Sequence, residues 1–599
     1  MGCSDLSDID RRTDDLVRQR SLLLGGEGLV PMRTFHEPSG IDDARVRAEE
    51  PNTLDPSVSA LRFVPADEAR DVADRLNKFT EPASEGKRLD LTSALRTAQT
   101  TGRELLNAEE EYLLAAIRLL IERHRWDPQF FASITPQFVD QYIRGATNTT
   151  ALQVVNELRV TQRLPYGGAI EARYLYSLTE QLRQRVGERF TDSSALILDA
   201  TIPLLRGAGD IARETLIQSE RDLVYAARTF EDFRRTYLVQ IARDYFALVQ
   251  QQRAIENQQN ALTQLRNLEQ RTSALVEAGR LAEFQKNIAS NDVLVATSRL
   301  AQQRETFTLA LDRFKVRLGV GVNEPVIVVP ESLEVPEPDI TPGEAARVAL
   351  EFRLDLQTQR DRVDDQRRAV RNAKNGLLPD LNLFANAQLN ATPLGTSQVA
   401  IVNPDTRDAA AGVTFGLPLD RETERLTLRS AVIVLEQNQR ALEQARDNVV
   451  VDARARVREI ERARFALQLQ ERAVFINKRR LEEQQLKVDT VTAQEVVDTA
   501  NALRDAENAR DQAVTDLRNA VLDYLLGTGQ LRVGRDGQLL RIPGMELAAP
   551  SKPVKPVVTD PAAPTPATSI TPPTPAAPSG APAGVPPPVP PADTPPQAP

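Results

Sequence analysis

Residue types that carry covalent or metal chemistry are scarce in this chain. It has one cysteine and two histidines among 599 residues, which leaves little for a zinc site or a cysteine–histidine catalytic pair. His124 lies near Trp126 without an evident partner, so we interpret it as a helix-end residue. Gly86-Lys87 lacks the earlier glycine of a phosphate-binding loop, and no Gly-x-Ser-x-Gly elbow is present. The sequence therefore predicts a non-enzyme without catalytic, cofactor-binding or metal-binding residues.

The single cysteine is a candidate for lipid attachment. Gly2-Cys3 resembles the last two residues of a bacterial lipoprotein signal, whose cysteine is lipidated after cleavage. The charged and apolar segments of a signal peptide do not precede it, so we expect either an upstream start or a mature form. Leu6 stands where myristoylation would need Ser or Thr. We predict lipidation at Cys3; the alternative is a free thiol near a disordered end.

Two flanking segments differ in composition from the middle of the chain. Residues 1–88 are polar and interrupted by prolines, which predicts an extended leader with one short helix near 66–79. Residues 550–599 hold about half of the chain's 39 prolines and cannot bury enough apolar surface to fold. We interpret them as a disordered or polyproline II tail, either a passive linker or a partner-binding spacer. A connector, 531–549, precedes this tail.

The charge pattern indicates solvated helix faces. The chain has 74 Lys and Arg against 84 Asp and Glu, a net charge of −10, and the two signs are interleaved. Because no basic stripe stands out, we predict no nucleic-acid partner. No run of 18 apolar residues occurs, so we expect no membrane-spanning helix.

The middle of the chain contains a long internal repeat. No proline occurs between Pro203 and Pro325, or between Pro418 and Pro543, and each block follows a short strand-like segment. Leu318-Gly319 near the end of the first block recurs as Leu526-Gly527 in the second. We interpret this pattern as a duplicated domain with repeats at 89–335 and 336–530.

Each repeat combines one very long helix with two shorter ones. The predicted helices are 89–124, 207–277 and 282–318 in the first repeat, and 343–375, 421–489 and 493–525 in the second. In each repeat the two short helices together match the long one in length, so we expect them to stack end to end alongside it. Helices this long must pack as coiled coils along their length, which predicts a tube wall.

Short segments between the helices alternate in polarity. Apolar residues share one face in 380–390, 411–419 and 130–138, and a further strand pair is predicted at 152–162 and 168–176. Such alternation is typical of a transmembrane barrel strand, although a half-buried soluble sheet looks the same. Four strands cannot close a barrel, because about eight are the minimum. A barrel would therefore need strands from several chains.

The ordered set of elements, given twice, resembles the TolC family of outer-membrane efflux proteins. The phrases that carry the resemblance are Leu377-Leu378-Pro379-Asp380-Leu381, Leu417-Pro418-Leu419 and Ile202-Pro203-Leu204-Leu205-Arg206-Gly207-Ala208-Gly209. The resemblance covers about 89–527. It implies a mainly α fold with a small β portion: a homotrimer whose chains give four strands each to a twelve-stranded barrel, above an α-barrel of long helices. The region 140–195 is longer than a strand pair requires, so it holds an enlarged external loop or extra strands.

The resemblance also implies two helix tips that dock a periplasmic adaptor protein. The tip residues are Gly279, Arg280 and Leu281 in the first repeat, and Thr490, Val491 and Thr492 in the second. Glu495 and Asp498 occupy the positions of an acidic ring that narrows the periplasmic aperture. This sequence departs from the family by having Glu at the first acidic position and Val491 where a latching Arg is expected. The alternative is that both acids are ordinary charges near a helix start.

The resemblance implies a function as well as a fold. We expect a passive duct across the outer membrane of a Gram-negative-type bacterium, with its helices in the periplasm and its barrel in contact with outer-membrane lipid. An adaptor and an inner-membrane pump would complete a tripartite efflux or type I secretion system. The alternative is a periplasmic coiled-coil scaffold or adaptor lipoprotein without a barrel. The sequence leaves the cargo open.

Overall fold

The computed structural model describes residues 6–23, 86–141, 149–182, 190–330, 340–390, 407–486, 492–534 and 536–537. The chain divides into Met1–Ala548 and Ala549–Pro599. The second unit, which contains the proline-rich tail, lies outside the described residues, as do Cys3 and the helix predicted near 66–79. None of the described helices is both long and apolar enough to cross a membrane.

The first repeat contains the predicted helices, with one break. They are α2 (Leu91–Thr101), α3 (Arg103–His124), α4 (Glu214–Glu277) and α5 (Glu283–Leu318), with a 3₁₀ turn at Gly209–Arg213 before α4. Gly102, at this break, has no room for a side chain, since a Cβ there would lie 2.2 Å from the Tyr237 hydroxyl. That hydroxyl donates a 2.8 Å hydrogen bond to the Arg317 carbonyl, which ties α4 to the end of α5.

The second repeat has the same order of helices. They are α6 (Pro342–Phe352), α7 (Leu354–Asn375), α8 (Glu422–Leu486) and α9 (Ala493–Gly527). A capping box between Thr341 and Glu344 starts α6. The chain then breaks at Arg353, whose guanidinium bonds Asp355 at 2.7 Å and Asp452 of α8 at 2.9 Å.

The long helices α4 and α8 each run beside two shorter ones, as the lengths predict. At the strand end α3, α4, α7 and α8 pack side by side in that order, while α5 and α9 pack against α4 and α8 at the far end. The main core lies around α4, where Tyr112 stacks on Phe230 with ring centroids 5.8 Å apart. Ion pairs such as Arg228–Asp361 (2.6 Å) and Arg368–Glu214 (3.2 Å) join α4 to α7 and so connect the two repeats.

One helix of the leader is absent from the sequence predictions. Helix α1 (Leu6–Leu23) packs against α3 and places Leu16 and Val17 in the main core. Eight of its eighteen residues are charged, and the two apolar residues that enter the core are too few to form a recognisable stripe. The expectation of an extended, largely irregular leader is therefore wrong for this part of it.

Six strands, rather than four, form one antiparallel sheet. They are β2 (Gln129–Gln141), β3 (Thr149–Arg163), β4 (Ala169–Gln181), β5 (Phe190–Pro203), β7 (Asp380–Asn390) and β8 (Arg407–Gly416), paired in that order. A separate parallel pair joins β1 (Lys87–Leu89) to β6 (Val326–Val328). The count of four strands per chain, taken from the resemblance, is wrong because the region 140–195 adds a complete hairpin, β3–β4. This hairpin is paired on both sides, to β2 and to β5.

The pairing register puts one apolar and one polar face on the whole sheet. Phe130 pairs with Val160, which pairs with Ala172, so that these three residues share a face. The predicted alternation is therefore confirmed for most positions. Exceptions in the added hairpin include Leu175, which pairs with Glu157 on the polar face, and Asn156, which pairs with Ile134 on the apolar face. Phe384 interrupts the polar face because Gly412 opposite it leaves room: a Cβ on that glycine would lie 2.9 Å from the ring.

Candidate functional site at the helix tips and the sheet

The first tip is a glycine-dependent turn between α4 and α5. Gly279 adopts φ 70°, the left-handed conformation that ends a helix most easily with glycine. The Arg280 N–H then donates to the Leu275 carbonyl at 2.9 Å, which closes the last turn of α4. Arg280 is exposed and Leu281 is half-buried. The turn therefore presents a cation above a partly covered apolar side chain.

The second tip begins α9 with a capping box. The Glu495 carboxylate accepts a 3.0 Å hydrogen bond from the Thr492 N–H, and the Thr492 hydroxyl accepts a 3.3 Å bond from the Glu495 N–H. The side chain of Glu495 therefore has a local role in starting the helix. Thr490 and Val491, which include the latch position, lie outside the described residues.

Asp498 lies one turn further along α9 and has an acidic neighbour that sequence reasoning missed. Its carboxylate accepts a 2.9 Å hydrogen bond from Gln494. Burial, and secondly the charge of Asp498, raise the pKa of Asp292 on α5, while Arg299 acts in the opposite direction. One Asp292 carboxylate oxygen is buried without a hydrogen-bond partner among the described residues. The return helices of the two repeats thus bring Asp292 and Asp498 together, a proximity that no sequence spacing reveals.

Between the tips lies a hollow with an apolar floor. Its volume is about 340 Å³, and its lining includes Leu265, Leu275, Leu281, Gln484 and Val496 from α4, α8, α9 and the first tip turn. The packing of Val497 against Leu262, Leu265 and Leu300 holds the tip helices in place. Amide side chains and Arg271 also line the hollow beside its apolar residues.

The polar face of the sheet carries a compact group of charges on the added hairpin. Arg173 of β4 lies 2.7 Å from Glu171 and 3.7 Å from Glu157 of β3, and Arg159 lies 4.0 Å from the same Glu157. Both signs are present and partly exposed, as on the wall of an aqueous passage. The opposite face exposes Phe130, Ile134 and Phe415 by 56–72%.

The residues considered for chemistry remain dispersed. His124 lies 3.4 Å from Asp127 at the end of α3, and both side chains are exposed. No cluster of metal-ligating side chains occurs among the described residues.

Taken together, these features define a protein of long helices with an amphipathic sheet at one end and acidic tips at the other. No known protein-family model and no curated protein sequence matches the chain. Solved structures share its fold. The outer-membrane channel OprN matches with a TM-score of 0.57 at 16% identity, over 74% of this chain and 90% of its own.

Two further channels show the same likeness. CusC, whose structures report transmembrane channel formation, matches with a TM-score of 0.57 at 12% identity, over 75% of this chain and 96% of its own. MtrE of Neisseria gonorrhoeae, captured in its open state, matches with a TM-score of 0.51 at 15% identity, over 75% and 90%. The resemblance to TolC-family outer-membrane channels is thus confirmed at the level of the fold.

Proposed function

We propose that this protein is an outer-membrane efflux or secretion duct that works as a homotrimer. The observation that carries the proposal is the sheet at the end of the long helices, which is mainly apolar on one face and mainly polar on the other. Such a sheet is stable in a bilayer only when its edges are closed and its polar face encloses water. The likeness to outer-membrane channels supports the same function.

In this proposal the duct conducts passively. The long helices extend into the periplasm, and the aromatic and aliphatic face of the sheet contacts lipid. An inner-membrane pump supplies the energy and is joined to the tips by an adaptor. The protein contributes a water-filled route and no catalytic step.

At the periplasmic end we assign the electrostatic role chiefly to Asp498 and Asp292. Three copies of each would bring six carboxylates to one aperture, which attracts cations and repels anions. Glu495 adds charge to the same tip, but its carboxylate is engaged in the helix cap. Neutralising Asp292 and Asp498 should therefore reduce cation selectivity more than Glu495→Gln does.

Planar-bilayer recording on the detergent-purified protein, with its oligomer mass checked in the same preparation, tests this function. We expect stable conductance steps from a trimer and a reversal potential that favours cations. Asp292→Asn/Asp498→Asn should move that potential toward zero. Unchanged selectivity in this variant would reject the acidic aperture. A soluble monomer or dimer that never enters bilayers would reject the duct and leave the coiled-coil scaffold.

Adaptor docking at the tips needs a separate experiment. A photo-crosslinking amino acid at Arg280 or Thr492 should capture, in cells, a protein with a helical hairpin. Both positions are exposed at the tips: Arg280 precedes Leu281, which lines the hollow, and Thr492 precedes α9, which supplies Val496 to it. The matched control is the same amino acid at exposed Arg103, at the start of α3, where the neighbouring Gly102 lies against Tyr237 of α4, far from both tips. Equal capture of one adaptor from all three positions would contradict docking at the tips.

A further inference from the structure

The sheet has two unpaired edges within the described residues, β2 at one side and β8 at the other. Strand β2 leads away from α3, whereas β8 leads back into α8, so the two edges have opposite directions. Exposed apolar residues continue to both edges: Ile134 is 72% exposed on β2 and Phe415 is 63% exposed on β8. A bilayer tolerates no open edge, and six strands are too few to close a barrel.

We propose that β8 of each protomer pairs antiparallel with β2 of the next, so that three chains close a barrel of eighteen strands instead of twelve. This inference rests on the proposed trimeric duct. The added β3–β4 hairpin is then part of the membrane wall, and the wall is wider than four strands per chain could make it.

The width of the helical wall agrees with the width of a six-stranded sheet. Four helices meet the sheet, and each continues into one strand: α3 into β2, α4 from β5, α7 into β7, and α8 from β8. At about 8–10 Å between neighbouring axes, they occupy an arc of about 32–40 Å. Six strands about 4.8 Å apart and tilted by about 40° occupy about 38 Å, whereas four occupy about 25 Å. Six strands therefore continue the helical wall without a constriction.

The hairpin is anchored at the junction between sheet and helices. Its turn packs against the segment that leaves β5, where the Gly209 N–H donates to the Tyr166 carbonyl at 2.9 Å. Gly168, at φ 86°, lies so close to β5 that a Cβ would come within 1.9 Å of the Thr201 carbonyl oxygen. These contacts fix the hairpin between β2 and β5 instead of leaving it as an external loop.

The added strands change the passage itself. Eighteen strands at that tilt give a backbone cylinder about 36 Å across, against about 24 Å for twelve. The hairpin also contributes the charged residues Glu157, Glu171 and Arg173 to the polar face. The barrel therefore suits bulky, hydrophilic solutes that a twelve-stranded wall would exclude.

A rival arrangement keeps twelve strands by excluding β2 and β3 from the wall, so that β4 meets β8 of the next chain. Strand β4 has the same direction as β2, so both pairings would be antiparallel. Pro136 favours the rival, because proline lacks an N–H and is typical of an edge strand. Paired cysteines distinguish the two arrangements directly.

Ala411 of β8 is the fixed cysteine position for this test. Partners across a ladder share a face, so we combine Ala411→Cys with Ala132→Cys or Ile134→Cys in β2. A second series, which tests the rival arrangement, combines Ala411→Cys with Tyr174→Cys or Tyr176→Cys in β4. The pairing through β3 places these two tyrosines at the same heights in the sheet as Ala132 and Ile134. The parent chain, whose single cysteine is Cys3, controls for any bond through that residue.

Oxidation of isolated outer membranes should give covalent dimers and trimers only in the β2 series. A trimer that cross-links only through β4, or through neither strand, would overturn the eighteen-stranded barrel while leaving the duct intact. A protein that remains monomeric would instead overturn the proposed function.

A deletion variant tests the width of the barrel independently of the cysteine cross-links. Replacing 142–189 with a short glycine-rich turn joins β2 directly to β5, as β7 joins β8 in the second repeat. In bilayers, the full chain should admit poly(ethylene glycol) of larger hydrodynamic radius than this variant, whose barrel cross-section falls by about half. Equal polymer exclusion limits for the two channels would contradict the wider barrel.

Discussion

Glu231 on α4 should be among the most sensitive charged positions of the helical wall. Its carboxylate bonds Arg234 at 2.8 Å and Arg235 at 2.7 Å, and all three side chains are about 5% exposed. Arg234 also donates to the Val533 carbonyl at 3.0 Å, so the cluster fastens the segment after α9 to α4. Burial and, secondly, the nearby Arg235 lower the pKa of Arg532 to about 10, while Glu231 acts in the opposite direction.

Glu231→Gln removes the carboxylate that forms ion pairs with both of these buried guanidinium groups. Breaking a buried ion pair by removing one partner costs about 3–5 kcal/mol, because the remaining charge loses both its water and its counter-ion. The matched control is Glu220→Gln on the same helix. Glu220 pairs with Arg123 at 3.0 Å, but these side chains are 38% and 41% exposed. Such a pair contributes about 0–1 kcal/mol.

The pH dependence gives a second measurement with a definite sign. Burial opposes ionisation of Glu231, but Arg234 and Arg235 outweigh it and lower its pKa below the usual value. A carboxylate with a lowered folded-state pKa stabilises the fold above its unfolded pKa of about 4.3, and this contribution is lost as the pH falls through the folded pKa. The difference between wild type and Glu231→Gln should therefore be constant near pH 7 and shrink below about pH 4.

The assay is urea unfolding in detergent, followed by the helical circular-dichroism signal. We expect the midpoint to fall much further for Glu231→Gln than for Glu220→Gln at pH 7, and the gap to close on acidification. Equal midpoints at pH 7, or a gap at pH 3 as large as the gap at pH 7, would refute the assignment of this stability to the buried carboxylate.

Three further predictions concern positions where glycine is required. Gly279→Ala should cost about 1 kcal/mol through its positive φ alone, because open space surrounds it, and hydrogen exchange should show faster opening only at that tip. Gly319→Ala should abolish trimer recovery on semi-native gels, because at a similar φ its Cβ would lie 1.9 Å from a backbone oxygen. Gly412→Val should reduce outer-membrane trimer yield by displacing Phe384, and adding Phe384→Ala should restore it; no rescue would contradict this contact.

Much of the helical part could be predicted from the sequence. The long proline-free blocks place α4, α5, α8 and α9 within a few residues at most ends, because helix propensity and a long coiled-coil pattern are local properties. The one larger difference is the start of α4, predicted at 207 and observed at Glu214, after the 3₁₀ turn. The break at Gly102 was not predicted, and the close approach of Tyr237 that requires glycine there is a contact with another helix.

The candidate site was predictable only in part. The tip residues Gly279 and Thr492 have the chemistry of a helix end and a helix start, which sequence indicates directly. Asp292 was missed because nothing in its neighbourhood distinguishes it from other surface acids. Its importance comes from α5 and α9 packing together, a contact between residues far apart in the chain.

By itself, the sequence determined the long helices, the alternating strands, their order and the division into an apolar and a polar face. These features follow from hydrophobic periodicity and local propensity, which are properties of short stretches of sequence. Only the tertiary structure decided that β3–β4 joins the main sheet, that α1 enters the core, and that Glu231 anchors the segment near Val533. Each of these depends on which distant surfaces meet, and the free energy of such contacts is set by packing and burial rather than by local pattern.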